Sequence, residues 1–359
     1  MQLTIEKLVH GGSGVGTFEG KKIFVPFTAP GDVVEVRISK DHGHFAEAEL
    51  VRVVEASRER VSPRCPVFGR CGGCQWQHLS CAAQLTWKRA IVVESLNRIG
   101  KLELQRAENL VLPTQGSPKE WNYRNRIQLH VRDKKVGFYA AKTNDVVEFE
   151  RCFIAHEKLN EELHAKRAEI SQRDRGIQLR LDERTFFTQV NTEQNAFMRG
   201  ELMNWVKTLP HHKVLELYAG GGNFTFPLAE AAEEVIACDL DVQAINLAKN
   251  RQKELDPMQK IQFEAISSEK LVKKLQKQRI SVDGVVLDPP RKGASEVLPP
   301  LVALKPQWMI YISCDPATFS RDIKWLALAG YHLTKVQPLD MFPQTFHVEV
   351  MGLLQKQLV

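Results

Sequence analysis

The C-terminal half of this 359-residue chain predicts an α/β fold, a doubly wound parallel sheet, preceded by a small β-barrel and an α+β segment. Three observations carry that expectation. From about residue 211, apolar runs of strand length alternate with helical stretches: "KVLELYAGGGNFTFPLAEAA" and "EEVIACDLDVQAINLAKNRQKEL" each read strand, turn, helix. "VDGVVLDPPRKG", "QWMIYISCD", "YHLTKVQPLD" and "HVEVMGLLQ" supply further strands. Residues 1 to about 55 instead alternate short β-type runs ("LTIEKL", "KIFVPF", "DVVEVRI", "AEAELVRVV") with glycine-rich and polar turns, which suits a five-stranded barrel of the OB type.

Composition bounds the class. With 43% hydrophobic and 26% charged residues the chain has the make-up of an ordinary globular protein. No run reaches the ~18 apolar residues of a membrane span. The start, "MQLTIEKLVHGG", lacks the basic-then-apolar pattern of a secretion signal. A cytoplasmic protein with no membrane partner is expected. The net charge of +6 is compatible with a polyanionic partner without establishing one.

Along the chain, "HGGSGVGTFEGKKIFVP" sets a glycine-rich turn ahead of Lys21 and Lys22, a surface suited to single-stranded RNA, though generic β-turns explain it equally well. Next comes "CPVFGRCGGCQW", with Cys65, Cys71 and Cys74, and far downstream Cys152 in "ERCFIAH". Three thiols within ten residues, among glycines, can wrap one metal centre. As bare surface thiols they would be prone to oxidation. Zinc is the competitor, but four-cysteine zinc sites usually use two CxxC pairs. One Cx5CxxC plus a distant fourth cysteine fits a [4Fe–4S] cubane better. Disulfides are not expected in a reducing compartment.

"AAQLTWKRAIVVESLNRI", residues 82–99, has helical periodicity. "EWNYRNRIQLHVRDKKVGFYA" reads as a β-hairpin. Its Arg124, Arg126, Arg132, Lys134 and Lys135, interleaved with Trp121 and Tyr123, form a basic stretch of the kind that meets nucleic acid, although solvated basic faces are common.

In the α/β half, chemistry collects at the carboxyl ends of the strands, where such folds bind ligands. Gly220–Gly222 permit close approach of a cofactor, and Asp239, ending the second strand, suits ribose hydroxyls. The turn is AGGGN rather than GxGxxG, and its spacing to Asp239 suits S-adenosylmethionine rather than NAD. The DPP tripeptide at Asp288 strengthens a methyltransferase reading. DPPR differs from the NPPY type of amino-group methylation, which points to a ring carbon. "YISCDPATFSRD" sets Cys314 between a strand end and a helix start. Most free cysteines are core filler, and Cys238, inside an apolar run, reads that way. Cys314 instead shares one sheet edge with Asp288, Gly220–Gly222 and Asp239, and the amides of a helix start would lower its thiol pKa. It is expected to be a nucleophile.

The stretches "CPVFGRCGGCQWQHL", "FTQVN", "LELYAGGGNFTFPLA", "LDPPRKG", "SCDPATFSRD" and "HVEVMGLL" together resemble, in order and spacing, the RNA uracil-C5 methyltransferases. The likeness is to the TRAM-containing iron–sulfur branch, the 23S rRNA type, and it spans nearly the whole chain. It implies an RNA-binding TRAM barrel over residues 1–55 and a central iron–sulfur, RNA-binding domain over 56–186. The helical stretch of about 77–109 would pack with a Rossmann-like class I methyltransferase domain over 187–359. By this resemblance Cys65, Cys71, Cys74 and Cys152 hold a [4Fe–4S] cluster, and Gln189, Tyr218, Gly220, Asn223, Asp239, Ser267 and Asp288 contact S-adenosylmethionine. Cys314 adds to C6 of uracil, and Asp288 (with Arg124 or Gln189) supports the resulting enolate. Glu349 removes the C5 proton, its basicity raised by burial; without the resemblance it reads equally well as a solvent-facing edge residue. The target uridine must be unpaired or flipped out.

Tyr218, Asp239, Ser267 and Asp315 depart from the family's commoner Phe, Glu, Asn and Asn. These changes bear on affinity rather than on the reaction. The rival classes are a non-catalytic RNA-binding iron–sulfur module and a radical enzyme, whose usual CxxxCxxC spacing is absent. DNA cytosine methylation is disfavoured because no PCQ motif occurs. A monomer acting on 23S rRNA is expected, with tRNA as the alternative substrate.

Overall fold

Alternation of apolar and polar residues builds the first unit. In β1 (Gln2–Leu8) the buried side chains are Leu3, Ile5 and Leu8, and the residues between them face outward or are half-buried. With β2 (Gly14–Phe18), β3 (Lys21–Val25), β4 (Val33–Asp41) and β5 (Phe45–Glu55) it closes a barrel in the order β1-β2-β3-β5-β4. Ile23, Val25, Val34, Val36, Ala46 and Ala48 fill its interior. The computed structural model describes residues 1–181, 188–255 and 260–357; the boundary expected between residues 186 and 187 lies outside them.

Helix α1 (Cys81–Arg98) starts on the Ser80 cap and is followed by α2 (Leu104–Leu110). Next come β6 (Arg126–Arg132), β7 (Lys135–Tyr139), β8 (Val146–Glu148), α3 (Glu157–Ile170) and β9 (Ile177–Arg180). These strands form an antiparallel sheet in the order β8-β7-β6-β9, and Leu159, Leu163 and Ile170 of α3 pack onto its Ile127, Leu129 and Leu179.

The remaining elements are α4 (Thr192–Val206), β10 (Lys213–Leu217), α5 (Thr225–Ala231), β11 (Glu234–Cys238), α6 (Val242–Leu255) and β12 (Ile261–Glu264), then α7 (Ser268–Lys277) and β13 (Gly284–Leu287). They continue with α8 (Leu298–Ala303), β14 (Trp308–Ser313), α9 (Pro316–Leu328), β15 (Tyr331–Leu339) and β16 (Glu349–Lys356). The seven-stranded sheet runs β12-β11-β10-β13-β14-β16-β15, parallel up to β14 and antiparallel beyond. The chain order reverses between β10 and β13, which makes that point the crevice where such sheets take ligands. Strand β12 had no counterpart among the expected strands, because its IQFE carries only two buried residues.

Two long-range features tie the units together. Val92, Val93 and Leu96 of α1 share the core of β14, α9 and β15, so α1 belongs physically to the large sheet although seven elements separate it from β10, that sheet's first strand in the chain. The segment after α2 then lies beside the edge strand β15, where the Leu112 N–H donates to Val336 O at 2.9 Å and the Gln115 N–H to Pro338 O at 2.9 Å. This protects the edge. Among the described residues no helix is long and apolar enough to cross a membrane.

The crossover from β15 to β16 is held from below. Lys88 of α1, with no solvent exposure, donates through Nζ to Asp340 Oδ1 at 2.5 Å and to Phe342 O at 3.1 Å. Gln84 and Gln344 exchange hydrogen bonds, side-chain amide to side-chain carbonyl at 3.1 Å and backbone N–H to side-chain carbonyl at 2.9 Å. Removing one member of a buried charge pair typically costs about 3–5 kcal/mol. Asp340→Ala is therefore expected to lose that much in urea unfolding, and Lys88→Met/Asp340→Leu markedly less than the sum of the two single changes. An Asp340→Ala protein within about 0.5 kcal/mol of wild type would show that the pair does not hold this crossover.

Candidate active site

A crevice is made by the turn after β10. Tyr218 (φ +62°), Gly220 (φ +52°) and Gly222 (φ +84°) all take left-handed backbone. A side chain at Gly222 would run into Phe226, 2.6 Å from its Cβ position, so both conformation and space require glycine there. Asp239 holds the turn by accepting the Gly220 N–H at Oδ2, 2.8 Å. Beside the turn lies a cavity of about 620 Å³ lined by Gln189, Tyr218, Gly220, Asn223 and Asp288 among others. Five of the seven residues expected at the cofactor thus meet in one cavity. Asp239 and Ser267 are not among its lining residues: Asp239 braces the turn, and Ser267 caps α7 by accepting the Lys270 N–H at 3.3 Å.

Cys314 follows β14 directly, and Asp315 caps α9. Strands β14 and β16 are antiparallel with Ser313 opposite Val350, so the next step of that register faces Cys314 toward Glu349. Glu349 opens β16, an interior strand, and is 2% exposed, which removes the solvent-facing edge alternative. Burial holds its carboxyl well above the usual range, the charge of Asp288 adds to this, and Arg291 opposes it. Asp288 is likewise raised by desolvation. Two neighbouring acids and one guanidinium therefore surround the thiol.

One expectation is corrected here. The start of α9 does not lower the Cys314 pKa; the thiol is pushed up to about 11, chiefly by burial and then by Glu349 and Asp288, against Arg291, which hydrogen-bonds it. The reason is local: the Ala317 and Thr318 amides both donate to Asp315 Oδ1 at 2.9 Å, so the helix start is already occupied by a carboxylate.

The sequence reasoning passed over three groups. Arg291 stands in the quoted DPPR, yet it served only as a signature there. Glu216, a lone acid in the apolar "KVLELY" run, is buried, accepts from Thr225 Oγ1 at 2.5 Å and has its pKa pushed up to about 8 by burial, with Asp288 and Asp239 adding to the shift. His347 is pushed down to about 4, by burial first and then by cations including Arg291. The acid in an apolar run was the one available signal.

Away from this crevice, Cys65, Cys71, Cys74 and Cys152 line a second cavity, of about 170 Å³. Burial raises Cys71 to about 11 and Cys74 to about 12, and raises Cys152, whose sulfur the Ile154 and Ala155 amides face. The Gly73 N–H donates to Cys71 Sγ at 3.4 Å. All seven cysteines are free of disulfides, and no cluster of three or more His, Cys, Asp or Glu among the described residues is arranged to hold a single metal ion. Of the basic stretch, Lys134 and Lys135 are exposed, whereas Tyr123 is not a surface residue: it is buried with its hydroxyl on Pro343 O at 3.1 Å. In the barrel, Lys21 and Lys22 pair with Asp41 and Glu6, both at 2.8 Å.

The sequence profile of the tRNA (Uracil-5-)-methyltransferase family matches residues 149–357, and that of the TRAM domain residues 1–51. The chain belongs to the RNA uracil-C5 methyltransferase family. An uncharacterized RNA methyltransferase of Bdellovibrio bacteriovorus is 35% identical over 99% of this chain and 95% of its own length. The 23S rRNA (uracil(1939)-C(5))-methyltransferase RlmD of Shewanella halifaxensis is 29% identical, over 99% of this chain and 95% of its own. The crystal structure of Pyrococcus abyssi tRNA (uracil-54, C5)-methyltransferase with S-adenosyl-L-homocysteine shares the fold, with a TM-score of 0.73, 24% identity and 99% of each chain covered. This RNA methyltransferase is accordingly an enzyme dependent on S-adenosylmethionine, with an RNA substrate and an N-terminal TRAM barrel.

A thiol with a pKa near 11 is mostly protonated at neutral pH, and its thiolate fraction grows about tenfold per pH unit below the pKa. Iodoacetamide labelling of Cys314 in the free enzyme, followed by peptide mass spectrometry, is expected to accelerate about tenfold per unit between about pH 7 and 10. A rate that levels off near neutrality would mean that a low-pKa thiolate is present at rest.

Proposed function

We propose that the chain methylates C5 of a uridine in 23S ribosomal RNA through a covalent bond between Cys314 and C6. The observation that carries this reading is the register that turns Cys314 toward a buried Glu349, with Asp288 and Arg291 acting on both. Uracil C5 is a poor nucleophile until a group adds at C6. The Cys314 thiolate forms the S–C6 bond, and the electron pair of the C5–C6 double bond moves through C4 onto O4. S-adenosylmethionine, when bound, supplies a methyl group with a good leaving group. In this reading Arg291 meets the enolate oxygen and Asp288 the N3 side of the ring. Glu349, made a stronger base by burial, then takes the C5 proton, and elimination of the Cys314 sulfur restores the double bond. Gln189, Tyr218, Gly220, Asn223 and Asp288 orient the methyl donor from the cavity wall, with Asp239 and Ser267 acting through the turn and the α7 cap.

The choice of 23S rRNA rests on the TRAM match and on the RlmD relative; tRNA is the other outcome of the test. The barrel (1–55) and the central segment (56–186) are read as RNA-gripping domains, the segment 187–359 as catalytic, and the protein as a cytoplasmic monomer. Cys65, Cys71, Cys74 and Cys152 would hold a [4Fe–4S] cluster, a centre that the reaction does not use for redox. What supports the fit is that all four line one cavity with amides facing the sulfurs of Cys71 and Cys152. Sulfurs around a single zinc at 2.3 Å would lie about 3.8 Å apart, a spacing that suits a single ion rather than a cubane.

Glu349→Gln is expected to methylate once and stall, leaving a denaturation-resistant protein–RNA band whose adduct already carries the 5-methyl group; Cys314→Ala forms neither band nor product. RNA with 5-fluorouridine at the target traps wild type likewise. Near-normal turnover by Glu349→Gln without a band excludes it as the base, and an active Cys314→Ala overturns the mechanism. Mapping 5-methyluridine in rRNA and tRNA of cells lacking the gene decides between the two RNAs.

Anaerobically purified protein is expected to be brown, with about four iron and four sulfide per chain. Stoichiometric zinc without sulfide would exclude the cluster.

A further inference from the structure

The barrel reaches the catalytic crevice through the turn between β1 and β2. His10 Nε2 lies 3.5 Å from Asp315 Oδ2, and this contact is the largest cause holding the Asp315 carboxyl down at about 2. The other oxygen of the same carboxylate receives the Ala317 and Thr318 amides that begin α9. The His10 ring also meets the edge of Phe346 at 6.0 Å, and Phe346 packs on His347 at 4.2 Å, two residues before Glu349. A side chain on Gly12 would collide with Phe346 at 2.9 Å, and Gly12 O accepts the Trp76 indole N–H at 3.0 Å. The turn is therefore docked, with His10 clamped between the residue after the nucleophile and the segment that brings in the base.

We propose that His10 is a positioning residue for the methyl-transfer reaction: by holding Asp315 it fixes the turn that presents Cys314, so the barrel completes the catalytic centre as well as gripping RNA. The inference rests on Cys314 being the nucleophile. His10 and Asp315 side chains are 37% and 25% exposed, and such pairs add little to stability. Their effect belongs in the geometry of attack, where small misplacements are costly.

The test uses the full-length enzyme, labelled S-adenosylmethionine and bulk RNA from cells lacking the gene, with the melting temperature measured for each variant. His10→Ala is expected to lower kcat about tenfold with KM for RNA unchanged within about twofold, and to slow formation of the 5-fluorouridine adduct equally. His10→Gln, which keeps an N–H donor, recovers most of the loss. In an Asp315→Asn background, His10→Ala has no further effect, because the charge it holds is gone. A raised KM with normal kcat means that His10 touches RNA instead, and overturns the proposal. So do a wild-type kcat in His10→Ala and independent, multiplying effects of the two substitutions. An active Cys314→Ala would remove the reading beneath it whatever His10 does.

Discussion

The catalytic arrangement depends on burying an irregular crossover between β15 and β16. Inserting β16 between β14 and β15 sends residues 340–348 through the interior, where Asp340, Gln344 and Thr345 are all at most 5% exposed. Irregular backbone can be buried only if its polar groups find partners. Lys88 answers Asp340 and the Phe342 carbonyl, Gln84 answers Gln344, and the Gln75 and Trp76 amides both donate to the Gln344 carbonyl. These partners come from the segment just after the barrel. That explains why α1 sits against the large sheet, and why the units along this chain are interleaved rather than strung in order.

Electrostatics at the crevice follow from the same burial. Glu216, Asp288 and Glu349 are each desolvated, and each carries a pKa above the carboxylate range. Burial is the leading cause for each, and Arg291 opposes it only at Glu349. An entering cation would lower them all, so a sulfonium-bearing donor and an acid-rich crevice stabilise one another. The cysteine cavity is a different case: the thiols of Cys71, Cys74 and Cys152 are raised chiefly by burial, with no carboxylate among the causes, and amide N–H groups face two of the sulfurs.

Much of this was legible in the sequence because it is local. The barrel strands follow period-2 alternation, α1 follows its Ser80 cap and apolar spacing, and the strand ends of the large sheet carry Asp288, Gly220 and Cys314 as their order in the chain implies. What was not legible is non-local. Tyr123 sits in a basic, RNA-like stretch, but its neighbour in space is Pro343, 220 residues away. Asp239 ends its strand as expected, and the contact it makes with the Gly220 amide across 19 residues is one that the sequence does not announce. Glu349 could not be told from an edge residue until β16 proved to be interior.

The misjudged thiol is the most instructive of these. A cysteine before a helix start implies free amides and a stabilised thiolate, but Asp315, one residue on, takes those amides for itself. The sequence contained both residues; which of them the helix would serve is decided by a side-chain torsion and by His10, brought in from the far end of the chain. The consequence is chemical. A half-buried thiol with a pKa near 11, flanked by two acids, is a poor target for oxidants in the resting enzyme. In the proposed mechanism its activation comes with the ligands: a cationic methyl donor beside the acids, and a pyrimidine whose developing charge Arg291 can share. On that proposal the thiol stays quiet until both substrates are present.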